Sequence, residues 1–208
     1  MAPWVMAITA VLAGVLAALL TPLLRAEVAG ESRWVSSRLH VLLAVAGGVG
    51  AGLAARHPAE LAAFAAAAVV VALMMTVDLA DHRLPDRLVV AALIALVVPL
   101  AVAAATTSAW SSFGRALLGG LALLVGYFLL AYIAPWGLGL GDVKFAAVIG
   151  CFLGWFAWQA VAWGTLLAFA INALVGIIVL VSRRGHGRTD IPFGPAMVLG
   201  AVLAVGLV

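Results

Sequence analysis

Charged side chains are scarce in this sequence. They make up 9% of 208 residues, against roughly 25% in an ordinary soluble domain. Apolar residues make up 67%, and the mean hydropathy is +1.27. So few charges cannot cover a water-soluble globule of this length. That excludes a soluble enzyme, a nucleic-acid-binding domain and a disordered chain. Cysteine is nearly missing as well. Cys151 is the only one and lies in an apolar run, which excludes an internal disulfide and a multi-cysteine zinc site. The net charge of +3 is not a nucleic-acid signature, because in a membrane chain the placement of basic residues matters more than their sum.

What the sequence has in quantity is apolar helix. The fold class expected is all-α, a polytopic membrane bundle of about eight spans. These are Trp4–Leu24, Leu39–Ala55, Glu60–Val77, Leu88–Ala105, Ala116–Ala134, Val143–Ala157, Ala160–Val181 and Phe193–Val208. The second and sixth are short, and the sixth has the length of a tilted or re-entrant helix. Pro99 predicts a kink in the fourth. The first lacks a basic residue before it and is too long for a signal-peptide core, so it is expected to stay in the mature protein. The Gly150–Gly154 spacing reads as a small-residue packing face, and Thr165 and Asn172 as interhelical hydrogen-bond partners.

Eight spans with the N-terminus outside sort the basic residues. Arg25, Arg33, Arg38, Arg83, Arg87, Lys144, Arg183, Arg184 and Arg188 fall inside, and Arg56 and Arg115 outside. This is a positive-inside bias, and shifting the count by one span would reverse it. Trp110, Trp155 and Trp158 then lie at the outer interface. The basic run Arg183–Arg188 is an inner anchor suited to anionic lipid head groups.

The same topology puts every aspartate on the inner side: Asp78, Asp81, Asp86, Asp142 and Asp190. Two stretches stand out. In Val77-Asp78-Leu79-Ala80-Asp81-His82-Arg83-Leu84-Pro85-Asp86, Asp78 ends an apolar helix and Pro85 stops any continuation. In Gly137-Leu138-Gly139-Leu140-Gly141-Asp142-Val143-Lys144, alternate glycines permit tight turns and close approach before Asp142 opens a helix. Ionisable groups at a membrane boundary are functional candidates. Two carboxylates brought together can hydrolyse a peptide without a metal, one ionised to take a proton from water and the other protonated to donate to the carbonyl. The helix dipole favours the anion at Asp142, at a helix N-terminus, and the neutral acid at Asp78, at a C-terminus. Asp142 is therefore expected to be the resting base and Asp78 the resting acid.

Other residues carry two readings each. Asp81 assists Asp78 or is a solvated acid beside Arg83. Asp86 caps the fourth helix. Lys144, the only lysine, steadies Asp142, binds substrate or anchors the topology. His82 with Asp78, Asp81 and Asp86 is ligand-like in type, but one loop supplies no convergent geometry, so neither metal nor cofactor is expected. Two further classes stay open on the residues alone. One is a small proton-coupled transporter, which would need midplane acids and two related halves. The other is a non-catalytic membrane assembly factor.

The two aspartate stretches resemble the prepilin peptidases, the type IV leader peptidases of the Gly-x-Gly-Asp aspartic protease class. In that family one catalytic aspartate is followed seven residues later by proline, as Asp78 is by Pro85, and then by an acid or amide, here Asp86. The other closes Gly139-Leu140-Gly141-Asp142, with Lys144 after it. Ile191-Pro192-Phe193-Gly194-Pro195 is similar to the family's segment before its last helix. The resemblance covers residues 60–208 as a catalytic core, and 1–58 match only as apolar helices of the same membrane domain. It implies catalytic Asp78 and Asp142, with Gly139, Gly141, Lys144, Asp81 and Pro85 supporting. It implies cleavage at the cytoplasmic face of the inner membrane. The substrate would be a pilin-like or pseudopilin-like precursor with a short basic leader, usually cut after glycine before an apolar helix. The product would pass to a pilus or secretion machine. Large members add an insert with Cys-x-x-Cys pairs and a methyltransferase activity. One cysteine makes this chain look like the short form, and Val77 before Asp78 favours the prepilin branch over the presenilin-like one, which has tyrosine there.

Overall fold

The structure is a computed structural model that describes residues 1–28, 30, 32–134, 138–182 and 192–208. All regular structure among them is helical. The order is α1 (Pro3–Leu19), α2 (Thr21–Glu27), α3 (Arg33–Ser36), α4 (Leu39–Ala54), α5 (Pro58–Asp81), α6 (Asp86–Thr107), α7 (Trp110–Ile133), α8 (Leu140–Phe156), α9 (Trp158–Val181) and α10 (Gly194–Val205). Four helices, α5, α6, α7 and α9, are each long and apolar enough to cross a bilayer, and α1 with α2 makes a fifth if the bent pair is one span. The other expected spans form shorter helices. α4 has 16 residues, α8 has 17 and α10 has 12, so α10 is roughly 18 Å long against a hydrocarbon core of roughly 30 Å.

The first span differs from the expectation of one continuous helix. It breaks at Leu20, with a 51° bend between α1 and α2. Pro22 is the cause, since it has no N–H to give to the Ala18 carbonyl four residues back. The Thr21 hydroxyl takes that carbonyl instead, at 2.7 Å. It also meets Nε2 of the fully buried His40 of α4, at 2.9 Å. Pro99, by contrast, lies within α6 and does not interrupt it.

The chain divides into two compact units, residues 1–114 and 115–208. In the first, α4 packs on α1 and on α5, and α5 on α6. Small residues allow the approach: a methyl group on Gly48 would lie 2.8 Å from the Ala10 Cα. Below that, Leu24, Val28, Val35, Leu73 and Val77 gather the ends of α2, α3 and α5 into one cluster. Outward faces remain apolar, as Leu12, Leu42, Ile94 and Val98 show. This is the arrangement of helices whose solvent is lipid.

In the second unit α10 packs on α9 and on α8. The expected Gly150–Gly154 face is used, and it closes on α7. A methyl group on Gly119 would lie 2.7 Å from the Gly150 carbonyl oxygen, and one on Gly154 would lie 2.6 Å from that of Arg115. Arg115 is not a loop residue. It sits within α7 and its guanidinium donates to the last carbonyls of α8, Gly154 at 2.7 Å, Trp155 at 2.8 Å and Phe156 at 2.9 Å. A cation there satisfies groups that a helix end leaves unpaired and complements the dipole. Thr165 does not bond across helices. Its hydroxyl donates to Val161 in its own helix, at 2.9 Å.

Candidate active site

The two aspartate stretches lie in different units. In the first unit, α5 does not stop before Asp78. It runs on to Asp81, so Asp78 occupies the last turn and is only 4% exposed. The helix ends at His82, whose left-handed backbone (φ 51°) turns the chain and whose N–H donates to the Asp78 carbonyl at 2.9 Å. The stop therefore comes three residues before Pro85 and is a left-handed cap made without glycine. Pro85 instead forms the N-cap of α6, and Asp86 is the first residue of that helix rather than its cap.

The turn between is tied down on both sides. Arg83 lies 3.5 Å from the Asp81 carboxylate and donates to the Glu27 carbonyl at the end of α2. Arg83 is 53% exposed and Asp81 is 15% exposed. Asp81 thus engages a cation across the turn, while Asp78 is buried. One short turn thus separates a buried acid from an ion-paired one three residues later.

In the second unit, α8 begins at Leu140 and not at Val143, so the glycine motif is itself the first turn. Gly139 is the N-cap, and Asp142 is the third helical residue, half-buried, in the electropositive first turn. Gly139 has φ −73° and ψ 149°, a conformation open to any residue. Its need for glycine is one of space. A methyl group there would lie 3.2 Å from Oδ2 of Asp142, since the carboxylate folds back over the cap. Gly141 is helical, and Lys144 points outward from the next position but one, exposed. Leu140 between the glycines is 66% exposed.

Within unit two, the Pro192–Pro195 segment is anchored by Phe193, the buried N-cap of α10. Its ring centroid lies 5.2 Å from that of Phe169 on α9 and 6.1 Å from that of Tyr127 on α7. Phe169 lies twelve residues before the end of α9, so α10 starts level with the middle of that helix. That depth accounts for its shortness. Asp190, Gly137 and the basic run Arg183–Arg188 fall outside the described residues. Among the described residues no three His, Cys, Asp or Glu side chains converge as a metal site would require.

The sequence profile of the type IV leader peptidase family matches residues 65–181, more than half of the chain, and takes in both Asp78 and Asp142. The chain belongs to the type IV leader peptidase family. Similar proteins include a prepilin leader peptidase/N-methyltransferase of Pseudomonas putida, 34% identical over 91 residues, which are 43% of this chain and 31% of that protein. That of Aeromonas hydrophila is 33% identical over 103 residues, 45% of this chain and 33% of the relative. That of Bacillus subtilis (strain 168) is 34% identical over 93 residues, 45% and 36% of the two. The matched segment thus spans about a third of these relatives' own length. No solved structure matches.

Membership of the leader peptidase family gives the Gly139 contact a testable consequence. Gly139→Ala keeps an allowed backbone and α8 keeps its start, but the new methyl group pushes the Asp142 carboxylate by a few tenths of an ångström. Small misplacements of a reacting group are costly. On the reading of Asp142 as a reacting group, proposed below, the expected results are an unchanged unfolding temperature in detergent and about a tenfold or greater loss of kcat in a leader-peptidase assay.

Proposed function

We propose that this chain is a membrane aspartic endopeptidase that removes short basic leaders from prepilin-like or pseudopilin-like precursors. The carrying observation is that the family match spans both acids and that each stands in a terminal helical turn, Asp78 at the end of α5 and Asp142 at the start of α8. In this reading folding brings the two carboxyls to one shared water. Asp142, ionised beside a helix N-terminus, takes a proton from that water, and the hydroxide formed attacks the scissile carbonyl. Asp78 works as the resting acid, because a charge there would face both the negative end of α5 and the loss of water on burial. Its proton passes to the carbonyl oxygen. Collapse of the tetrahedral intermediate releases the leader as the new amine gains a proton from the pair. The two acids titrate as a unit.

In the same reading the neighbouring residues take supporting roles. Gly139 leaves room for the Asp142 carboxylate, and Gly141 keeps the first turn of α8 open to an extended peptide. Lys144 steadies charge at the motif. Asp81 holds Arg83 and so fixes the turn behind Asp78, and Pro85 starts α6. Eight membrane crossings, three of them short, with the N-terminus outside would set both acids at the cytoplasmic face of the inner membrane, where a basic leader enters. Membrane lipid surrounds the bundle, and the mature product serves a pilus or secretion machine. A proton-coupled carrier fits less well, because the acids lie at helix ends and not at mid-helix.

The test is co-expression with a precursor that carries a basic leader before an apolar helix. The expected result is a shortened product whose new N-terminus lies at the leader junction. A precursor that stays full length beside well-expressed chain, while a known leader peptidase shortens it, would refute the proposal.

A further inference from the structure

Tyr127 lies outside every motif above, yet two geometric features centre on it. The first is register. α7 and α8 run antiparallel, with Ala116 against Gly154, Gly119 against Gly150, and Gly120 against Ala147 and Cys151. Seven residues on from Gly120 is Tyr127, and seven back from Gly150 is Val143, next to Asp142. Both steps are two helical turns on the packed face, where Leu123 and Tyr127 on α7 and Val143 on α8 are buried. The second feature is the aromatic stack. Tyr127 lies 5.6 Å from Phe169 and 6.1 Å from Phe193, ring centroid to ring centroid. It therefore joins α7 and α9 to the segment that opens α10.

The stack alone asks only for a ring, and phenylalanine would serve it as well. The hydroxyl is the part without an explanation. A phenol that is 2% exposed inside a lipid-facing bundle costs free energy unless its polar end meets another polar group. The register brings Asp142 to that end of α7. We propose that Tyr127 is a positioning residue for Asp142: its ring seats the Phe193 turn of α10 beside the first turn of α8, and its hydroxyl orients the Asp142 carboxyl for hydrolysis. The proposal rests on the endopeptidase reading.

The experiment compares Tyr127→Phe, Tyr127→Leu and Asp142→Asn with wild type in detergent, using a purified precursor with a basic leader. Tyr127→Phe keeps the ring and the unfolding temperature. Its kcat is expected to fall about tenfold while KM stays within about twofold, the pattern of a lost transition-state interaction. Tyr127→Leu falls at least as far. If Tyr127→Phe cleaves as wild type does and only the leucine variant is impaired, Tyr127 is a packing wedge and the proposal is overturned. A rise in KM together with a lower unfolding temperature in Tyr127→Phe overturns it in the same way. Asp142→Asn separates the two levels. Continued cleavage by that variant would remove Asp142 from the mechanism and the tyrosine's role with it, and wild-type protein that leaves the precursor intact would bring down the endopeptidase reading itself, whereas inactivity of Asp142→Asn beside an unaffected Tyr127→Phe brings down only the role of the tyrosine.

Discussion

Asp78→Asn and Asp142→Asn are each expected to abolish leader removal, with rates lowered by about 10³-fold or more. Both substitutions preserve shape and remove only the capacity to hold or release a proton. At Asp78 the change replaces an acid that is 4% exposed by a neutral amide of the same volume. The helix end there is held by backbone, through His82 and the Asp78 carbonyl, which the substitution does not touch. At Asp142 an amide still fits over Gly139 and still lies in the first turn of α8. Membrane levels and unfolding temperatures should therefore match wild type, and the loss should appear in the precursor's size on a gel. The two losses should not add in the double variant, because residues that act as one unit fail together. Cleavage that persists in either single variant removes that residue from the mechanism.

Arg115→Ala has the largest expected effect on stability. One guanidinium satisfies the Gly154, Trp155 and Phe156 carbonyls, with all three bonds between 2.7 and 2.9 Å. Hydrogen bonds to a charged group contribute roughly 1.5–3 kcal/mol each, and a part-exposed site keeps only a fraction of that. A loss of about 3–4 kcal/mol results, since the abandoned carbonyls sit where α8 meets α7 with little water to replace the arginine. For a chain of this length that corresponds to roughly a 10 °C fall in unfolding temperature. Arg115→Lys should recover only part of it, because an ammonium lacks the planar fork that spans three acceptors. An Arg115→Ala protein that melts as wild type does would mean the cap carries no stability.

The sequence made the acids legible and left their setting hidden. Asp78 and Asp142 announce themselves because a charged residue is rare in so apolar a chain, and the glycines and proline near them mark the neighbourhood of a helix end. Most helix boundaries lie close to the expected ones, but α7 starts well before the expected Ala116, at Trp110. α5 overran its expected end because His82 supplies a left-handed cap, a backbone choice that no histidine signals. The bend at Leu20 was encoded in Pro22, but whether a proline breaks a helix depends on what takes the freed carbonyl. Thr21 does so for Ala18. Arg115 read as an outer-loop charge because its partners lie some forty residues away. Tyr127 was silent for the same physical reason, since its meaning comes from the pairing of α7 with α8 and from rings on α9 and α10. Local spacing carries none of that information.

Asp78 and Asp142 are proposed to share one water, and their proximity can be measured directly. Cys151 is the only cysteine and is buried, so Cys151→Ser gives a clean background for the pair Asp78→Cys and Asp142→Cys. A protease site inserted at the exposed turn after α6, near Ser108, separates the two positions into different fragments. Treatment of intact membranes with a short bifunctional thiol reagent should hold the fragments together on a gel after cutting. Fragments that part completely, although each thiol reacts with a monofunctional reagent, would contradict the shared site.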